Sequence, residues 1–393
     1  MNRNFKETCM STALRLRGFN FFYFSLFALF LSFLPVYCSS IGMSGAQIGM
    51  LLGAGSVISI VSQPLWGMVS DKYRTIKTVL LLILAASVLV GTGMYRSHQV
   101  WTLSLMVGLM YLLYLPTDPL VESLNFQTSQ RIRVSYGSLR MFGALGYAVT
   151  SLSAGLFVQS WGMGSLSWVF LTFGVLSLLL CLGLTDVEAS SKPARLKHLG
   201  AFFLQSHTLT FFVLVLLVAI PHKMNDSFIG LYMAQLGGSV TYTGLCWFVM
   251  TITETVFFAL SSKLIKPGKE TLLMSIAAGL YALRFLLCAF VRTPSELVGL
   301  QVFQGCTFVF FYAASIQYLY SIVPEQWKST GQTVLTVVFF GVSGIIGSGF
   351  GGWLIELLGG SALYKVMACL SAVSFAYSFI LLKRTGQVAN KVT

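Results

Sequence analysis

Long apolar runs recur along this chain, and they decide more than any other feature what it can fold into. Several exceed about 20 residues, the length that an α-helix needs to cross the hydrocarbon core of a bilayer. Charged residues make up only 9% of the 393 residues, whereas soluble domains carry about 25%. The runs show no alternation of apolar and polar residues of the kind that membrane β-strands need. The sequence therefore predicts an all-α integral membrane protein.

Twelve runs can be placed as transmembrane helices, joined for the most part by short connections. The longest polar interval covers residues 186–206. We interpret it as a cytoplasmic linker between two pseudo-symmetric six-helix halves, residues 1–185 and 207–393. The predicted spans are 19–39, 47–70, 77–95, 100–127, 136–159, 165–185, 207–234, 242–262, 271–291, 297–322, 330–358 and 362–382.

Basic residues are concentrated in every second connection, and this placement explains the net charge of +13. Lysine and arginine mark the cytoplasmic loops of membrane proteins. The pattern therefore predicts that both termini are cytoplasmic, and it gives no indication of a nucleic-acid partner. We expect a multi-pass protein of the cell membrane that acts as a monomer.

Two acids and an arginine flank the polar connection 127–135. Asp118 and Glu122 lie near the end of the fourth run, and Arg140 lies near the start of the fifth. If the connection is a hairpin turn, Glu122 and Arg140 lie at matching depth, about 6–8 Å inside the membrane at the rise of an α-helix. A charged side chain at this depth is costly without a partner. The sequence therefore predicts that the acid and the base pair.

A second set of charged residues lies inside the runs of the second half. His222 and Lys223 precede Asp226 by four and three residues, so the three side chains share one face of a helix. Glu254 lies near the middle of the eighth run, and Arg284 lies on the next run. Acids inside membranes often serve in proton relays. Static ion pairs that orient the helices are the alternative interpretation.

The segment 67–77, GMVSDKYRTIK, connects the second and third runs. A basic turn at 261–269 follows the eighth run, so the two halves have corresponding turns, as in transporters built from repeats. We expect its glycine to allow close helix packing and its basic residues to hold the turn at the anionic leaflet. The candidate residues of this switch loop are Gly67, Asp71, Lys72, Arg74 and Lys77.

The pattern of the switch loop, G-x-x-x-D-K-x-x-x-x-K, resembles the signature loop of the major facilitator superfamily. The segment QPLWGMVSDK is similar to the branch that holds lactose permease and related proton symporters for oligosaccharides, nucleosides and phenylpropionate. Glu122 and Arg140, eighteen residues apart, resemble the acid and arginine of its fourth and fifth helices. The resemblance implies an alternating-access transporter in which these two side chains bind sugar hydroxyls. It also implies that Tyr147 stacks on the sugar ring.

The second half departs from that branch. Where lactose permease has a histidine–glutamate pair on its tenth helix, this chain has the uncharged Gln301, Gln304 and Thr307. Aspartates of the permease's seventh helix fall near His222 and Asn225. We place His222, Asn225 and Gln304 among the candidate substrate contacts.

Proton coupling must therefore use another carboxylate. Glu254 is the best candidate, because it lies near mid-span and because Arg284 on the next helix can stabilise its ionised form. Asp226 is the rival, with Lys223 and Arg284 within reach.

We predict a secondary transporter that imports a sugar or an oligosaccharide together with protons. A hydroxyl-rich solute suits an acid–arginine pair beside an aromatic ring. Further candidates for a cavity lining are Tyr23, Phe24, Tyr312 and Trp247. Asp118 adds a second acid where lactose permease is small and apolar, so the sequence does not favour a galactoside in particular.

The main alternative is a symporter of nucleosides or aromatic acids. A drug-exporting antiporter is less favoured, because the fifth run lacks the Gly-Pro motif usual in such proteins. A lipid flippase or a sensor on the same fold is a third possibility. The sequence contains no nucleophile–base constellation and no metal-ligand cluster, and its seven cysteines form no CxxC pair. We therefore expect neither an enzyme activity nor a cofactor or a metal.

Overall fold

The computed structural model describes residues 3–187, 205–264 and 268–389, and these residues form helices and short connections. Eleven helices in this part of the chain are long and apolar enough to cross a membrane. In chain order they are α1 Met10–Ser40, α2 Gly45–Tyr73, α3 Lys77–Met94, α4 Val100–Ile132, α5 Tyr136–Trp161, α6 Ser165–Leu182, α7 Ser206–Gln235, α8 Val240–Leu260, α9 Glu270–Ala289, α10 Pro294–Ile322 and α11 Thr330–Leu382.

The prediction that residues 127–135 form the connection between α4 and α5 is mostly wrong. Helix α4 continues to Ile132, and the turn is confined to residues 133–135, where Arg133 adopts the left-handed conformation with φ 56°. Polar residues can complete helical hydrogen bonds beyond the apolar zone of a membrane, so hydropathy marks the end of the apolar zone rather than the end of the helix. Most of the predicted linker, residues 188–204, lies outside the described residues.

Helix α11 is 53 residues long, and one glycine divides it. Gly359 has φ 77° and ψ 174°, a conformation outside the helical range that glycine adopts at little cost. A continuous helix of this length would extend about 80 Å, more than twice the thickness of the hydrocarbon core. The break falls between the predicted spans 330–358 and 362–382, and each part is long enough to cross a bilayer.

The chain divides into two compact units. Unit 1 contains Met1–Ser44, Ala54–Ser191 and Ser239–Ile252, and unit 2 contains Gly45–Gly53, Lys192–Gly238 and Thr253–Thr393. The units therefore differ from the predicted halves in two short segments, the first residues of α2 and the first half of α8. Each unit holds its own cluster of charged side chains.

Buried polar side chains join the helices of unit 1. Helix α1 packs against α5 and α6. The Tyr95 hydroxyl donates to the backbone carbonyl of Leu29 at 2.6 Å. Asn20 of α1 and Asn125 of α4 exchange two amide hydrogen bonds of 2.9 and 2.8 Å. Because lipid offers no hydrogen bonds, such pairs fix which helix faces meet.

Small residues bring helices together in unit 2. Helix α11 packs against α7 and α9. A Cβ atom added at Gly347 would lie 2.9 Å from the backbone oxygen of Ile220 on α7, and one at Gly351 would lie 2.8 Å from the ring of Phe228. The absence of a side chain at these glycines therefore allows α7 and α11 to approach closely.

Gly347→Ala should destabilise the protein, whereas Gly349→Ala should not. The added methyl at Gly347 meets backbone, so α11 must shift, and such overpacking costs about 1–3 kcal/mol. In the part of the chain that the structure describes, no atom lies within 4 Å of a Cβ added at Gly349. Alanine there gains about 0.5–1 kcal/mol of helix propensity. Melting temperatures of the two variants in detergent test this. Equal melting temperatures would show that close approach at Gly347 does not hold α11 in place.

Candidate functional site

The acid and the base that the sequence predicts to pair do so in unit 1. Arg140 Nε on α5 donates to Glu122 Oε1 on α4 at 2.6 Å, and the two side chains keep 34% and 29% of their surface exposed. The Arg140 guanidinium lies 3.8 Å from the centre of the Phe24 ring. Tyr136, which the sequence analysis missed, donates its hydroxyl to the second oxygen of Glu122. The Phe24 ring and the Tyr136 hydroxyl thus orient the pair, which is still accessible to a ligand.

A turn within α4 positions Asp118. The helix is interrupted at residues 114–116 and resumes at Thr117, whose hydroxyl lies 2.6 Å from that of Tyr23 on α1. Asp118 follows in the first turn, one helical turn before Glu122. Its Oδ1 atom is buried and makes no hydrogen bond among the described residues. The cluster of Asp118, Glu122 and Arg140 therefore holds one acid more than it has bases, and it can accept a hydrogen bond from a ligand.

Two aromatic side chains extend this cluster along unit 1. Tyr147 lies two turns after Arg140, and its hydroxyl is 2.9 Å from that of Ser32. The ring of Trp247 lies 6.0 Å from the ring of Tyr147, at an angle of 53°. Trp247 is 9% exposed, and its indole N–H makes no hydrogen bond within the described part of the chain. Because a buried indole normally has a partner, this N–H is a free donor beside the aromatic ring.

The charged cluster of unit 2 is built around Arg284 on α9, which is 1% exposed. Its guanidinium donates to Gln301 Oε1 at 2.5 Å, to Thr307 Oγ1 at 3.3 Å and to Gln304 Oε1. Gln304 in turn donates through Nε2 to Glu254 Oε1 at 2.8 Å. The sequence placed Arg284 beside Glu254, and the structure places the amide of Gln304 between them.

The second acid of unit 2 is Asp226 on α7. Its Oδ2 atom lies 3.5 Å from His222 Nε2 and 3.6 Å from Lys223 Nζ, as the spacing of the three residues predicts. The other ring nitrogen of His222 lies 3.1 Å from the Tyr281 hydroxyl. Oδ1 of Asp226 is buried and has no hydrogen-bond partner among the described residues. Like Asp118, this acid retains an unused acceptor.

An aromatic wall adjoins His222. Phe308 stacks on the imidazole with a centroid distance of 4.9 Å and an angle of 8°, and Tyr312 stacks against Phe308 at 5.5 Å. Phe308 belongs to a π-helical turn of α10, Gly305–Val309, and α11 has another at Val337–Val342. Such turns are frequent at functional sites, because they re-aim side chains without ending a helix.

Asn225 occupies a different environment from the other predicted contacts. Its Oδ1 accepts a hydrogen bond of 2.8 Å from the Tyr364 hydroxyl of α11. Both residues are fully buried, at 1% and 0% exposure. The carbonyl end of the amide therefore joins α7 to α11, and a role for Asn225 in substrate binding stays a prediction.

The switch loop is fastened to the end of α6, and one expectation about it is wrong. A Cβ atom at Gly67 would meet no atom of the described residues within 4 Å, so close packing does not depend on this glycine here. It lines a cavity of about 200 Å³ together with Asp71 and Pro119. The turn itself contains Arg74 in the left-handed conformation with φ 52°. Lys72 lies 5.6 Å from the ring of Tyr73.

Asp186, just beyond α6, holds the loop. Its Oδ1 accepts from the backbone N–H of Lys77 at 2.9 Å, and its Oδ2 accepts from the Thr75 hydroxyl. Lys77 Nζ donates to the backbone carbonyls of Leu182 and Leu184 at 2.8 and 2.6 Å. Partial burial alone would raise the pKa of the Asp186 carboxyl. The hydrogen bonds outweigh burial and hold its pKa below the usual range.

Helices that are long and apolar enough to span a membrane carry a charged cluster in each unit. This combination is typical of membrane transporters. The sequence matches the model of the MFS_1-like family over residues 13–366. The chain belongs to this family, and the protein is a transporter of the major facilitator superfamily.

Individual relatives cover almost the whole chain. The maltose permease of Geobacillus stearothermophilus is 27% identical over 405 residues, which cover 95% of this chain and 96% of the permease. The "Probable 3-phenylpropionic acid transporter" of Escherichia coli strain K12 is 26% identical over 358 residues, 89% of this chain and 93% of that protein. The crystal structure of nucleoside transporter NupG superposes with a TM-score of 0.81 at 17% identity, covering 95% of this chain and 98% of that one. At this identity the structural similarity shows the fold.

Asp186→Asn should lower the melting temperature at neutral pH, because the neutral amide accepts the loop's hydrogen bonds more weakly than the carboxylate. The folded pKa of Asp186 lies below the unfolded value of about 3.9, so its contribution is present above that pH and is lost as the pH falls through the folded pKa. The difference between wild type and variant should therefore shrink as the pH is lowered from 7 toward 3. Glu325→Gln, at a side chain that is 93% exposed, is the control. A difference that stays constant over this range would show that the carboxylate charge does not hold the loop.

Proposed function

We propose that the protein is a twelve-span secondary transporter of the cell membrane that imports a sugar or an oligosaccharide together with protons. The observation that carries this proposal is the partly exposed Glu122–Arg140 pair beside aromatic side chains. The break at Gly359 supports twelve spans rather than eleven. Two six-helix halves, cytoplasmic termini, a monomeric state and alternating access between the two sides of the membrane belong to the same proposal.

The unit 1 cluster suits a hydroxyl-rich solute. Carboxylates accept hydrogen bonds from hydroxyl groups and guanidinium groups donate to them, and such charge-assisted bonds are stronger than neutral ones. The unused oxygen of Asp118 offers a further acceptor. The rings of Tyr147 and Trp247 can pack against the C–H face of a sugar, and the free indole N–H can donate to a hydroxyl. The similarity to a maltose permease supports the same solute class.

A nucleoside or an aromatic acid is the second candidate, and the aromatic wall of unit 2 favours it. The stacked rings of His222, Phe308 and Tyr312 present a surface on which a planar ring can stack. The similarity to a 3-phenylpropionic acid transporter is consistent with this solute. The surplus acid of the unit 1 cluster disfavours an anion there. A thermal-shift screen of the purified protein with maltose, raffinose, uridine and 3-phenylpropionate separates the candidates.

Glu122→Gln and Arg140→Lys should each weaken binding of the solute that the screen identifies by more than about tenfold, because each removes a charge-assisted hydrogen bond. Lysine keeps the positive charge but lacks the planar guanidinium group of arginine, so the charge alone should not restore binding. Binding is measured by isothermal titration, and fluorescence size-exclusion chromatography shows that the variants remain folded. Arg131→Lys, at an exposed position near the end of α4, is the control. Near-normal binding by both variants would reduce the pair to a structural contact between helices.

Glu254 is the proposed proton carrier. It is the acid that Gln304 connects to Arg284, so a change in its protonation alters the hydrogen bonds of a buried cation. Asp226 already has a histidine and a lysine within 3.6 Å. The contacts of the two acids therefore favour Glu254 for coupling and Asp226 for a standing ion pair.

Glu254→Gln should abolish accumulation of the identified solute driven by a pH gradient and should leave counterflow exchange at equal pH intact. The glutamine keeps a hydrogen-bonding group beside Gln304 but cannot release a proton. Uptake and exchange are measured in proteoliposomes, with Glu325→Gln as the control. If the variant still accumulates solute on the gradient, Glu254 is not the coupling site. Asp226 then becomes the candidate, and Asp226→Asn is the next variant. If the wild type does not respond to the gradient, the transporter is a uniporter or uses another ion.

A further inference from the structure

A cavity of about 900 Å³ lies in unit 1, apart from the acid–arginine cluster. It is formed where α3 ends, where α5 ends and where α6 begins. Its lining includes Arg96, His98, Phe157, Trp161, Trp168 and Phe173. None of these side chains takes part in the proposed solute binding or proton coupling.

One end of this cavity is polar and the other is apolar. Arg96 and His98 lie in the connection between α3 and α4, and both are exposed. Phe157 lies one turn inside α5, and Phe173 lies two turns inside α6, which corresponds to depths of about 6 and 12 Å. The cavity therefore runs from the membrane surface into the apolar zone. An occupant must match both environments.

Aromatic side chains mark the boundary between the two ends. Trp161 and Trp168 are 69% and 61% exposed, and tryptophan is enriched at the level of the lipid headgroups. The Arg96 guanidinium lies 4.5 Å from the centre of the Trp168 ring. This stacking orients the cation and leaves N–H groups at the edge of its plane free to meet an anion. The residues that line the cavity, all within the described part of the chain, include no acid.

We propose that this cavity binds an anionic phospholipid. The phosphate lies at Arg96 and His98, and an acyl chain lies along Phe157, Phe173 and Val169, which also lines the cavity. Charge complementarity selects an anionic headgroup, because the lining places no acid beside the Arg96 guanidinium, whose charge a zwitterion would leave unbalanced. The apolar end selects a lipid over a free anion. The site is independent of the proposed solute and of proton coupling.

Native mass spectrometry of the purified full chain tests the proposal, with phosphatidylglycerol and phosphatidylcholine of identical acyl chains as probes. The wild type should retain phosphatidylglycerol about fivefold better than phosphatidylcholine, as expected for one basic side chain near a lipid phosphate. Arg96→Gln should abolish this preference. Arg292→Gln, which removes the exposed arginine between α9 and α10, should leave it unchanged.

Two further variants keep the test decisive. Arg96→Lys retains the charge and loses the planar stacking, so it should keep part of the preference even if Arg96→Gln does not fold. Val169→Trp fills the apolar end, and it should reduce binding of both lipids without changing the charge. Equal retention of the two lipids by the wild type, or an unchanged preference in Arg96→Gln, would overturn the proposal. Displacement of phosphatidylglycerol by millimolar inorganic phosphate would also overturn it, because it would show that only a free anion is recognised.

Discussion

The cost of placing a charged side chain inside a bilayer is the constraint on which the rest of this structure depends. Unit 1 meets it with an ion pair, Glu122 and Arg140, which an aromatic ring and a tyrosine hydroxyl orient further. In unit 2 the cost of burying Arg284 is offset differently, because hydrogen-bond acceptors on uncharged side chains of α10 surround its guanidinium. In both units the requirement for partners fixes which helices meet and at what height. The charged clusters are therefore as much a part of the architecture as of the proposed chemistry.

The two solutions differ in what they allow a proton to do. In unit 1 the acid and the base contact each other directly. An amide that accepts from a cation and donates to an acid, as Gln304 does, connects the two groups without neutralising either. Glu254 therefore sits in a network that can change its hydrogen bonds without separating two opposite charges. This contrast between Glu122 and Glu254 underlies the proposal that the first binds the solute and the second carries the proton.

Several details of the site depend on backbone irregularities. The interruption of α4 at residues 114–116 sets Asp118 at the start of a new helical segment. The π-helical turns in α10 and α11 direct Phe308 and Phe339 toward His222. A hydropathy profile does not detect these features, because they change the direction of side chains and not their polarity. Tyr136 escaped sequence analysis for a related reason, since its partner Glu122 lies across a turn whose length was wrongly predicted.

The sequence by itself determined the all-helical membrane architecture and the location of the long apolar helices, because a bilayer imposes a length and a polarity on every segment that crosses it. It also determined the pairing of Glu122 with Arg140 and the grouping of His222, Lys223 and Asp226, because both follow from spacing along helices and from the cost of unpaired charge. Only the tertiary structure decided what lies between helices. Gln304 joins Arg284 to Glu254, Asn225 turns its carbonyl to Tyr364, and Gly67 faces a cavity and not a neighbour. These contacts depend on how helices are rotated against one another. In lipid that rotation is set by packing and by a few hydrogen bonds, and the hydropathy of a sequence does not record it.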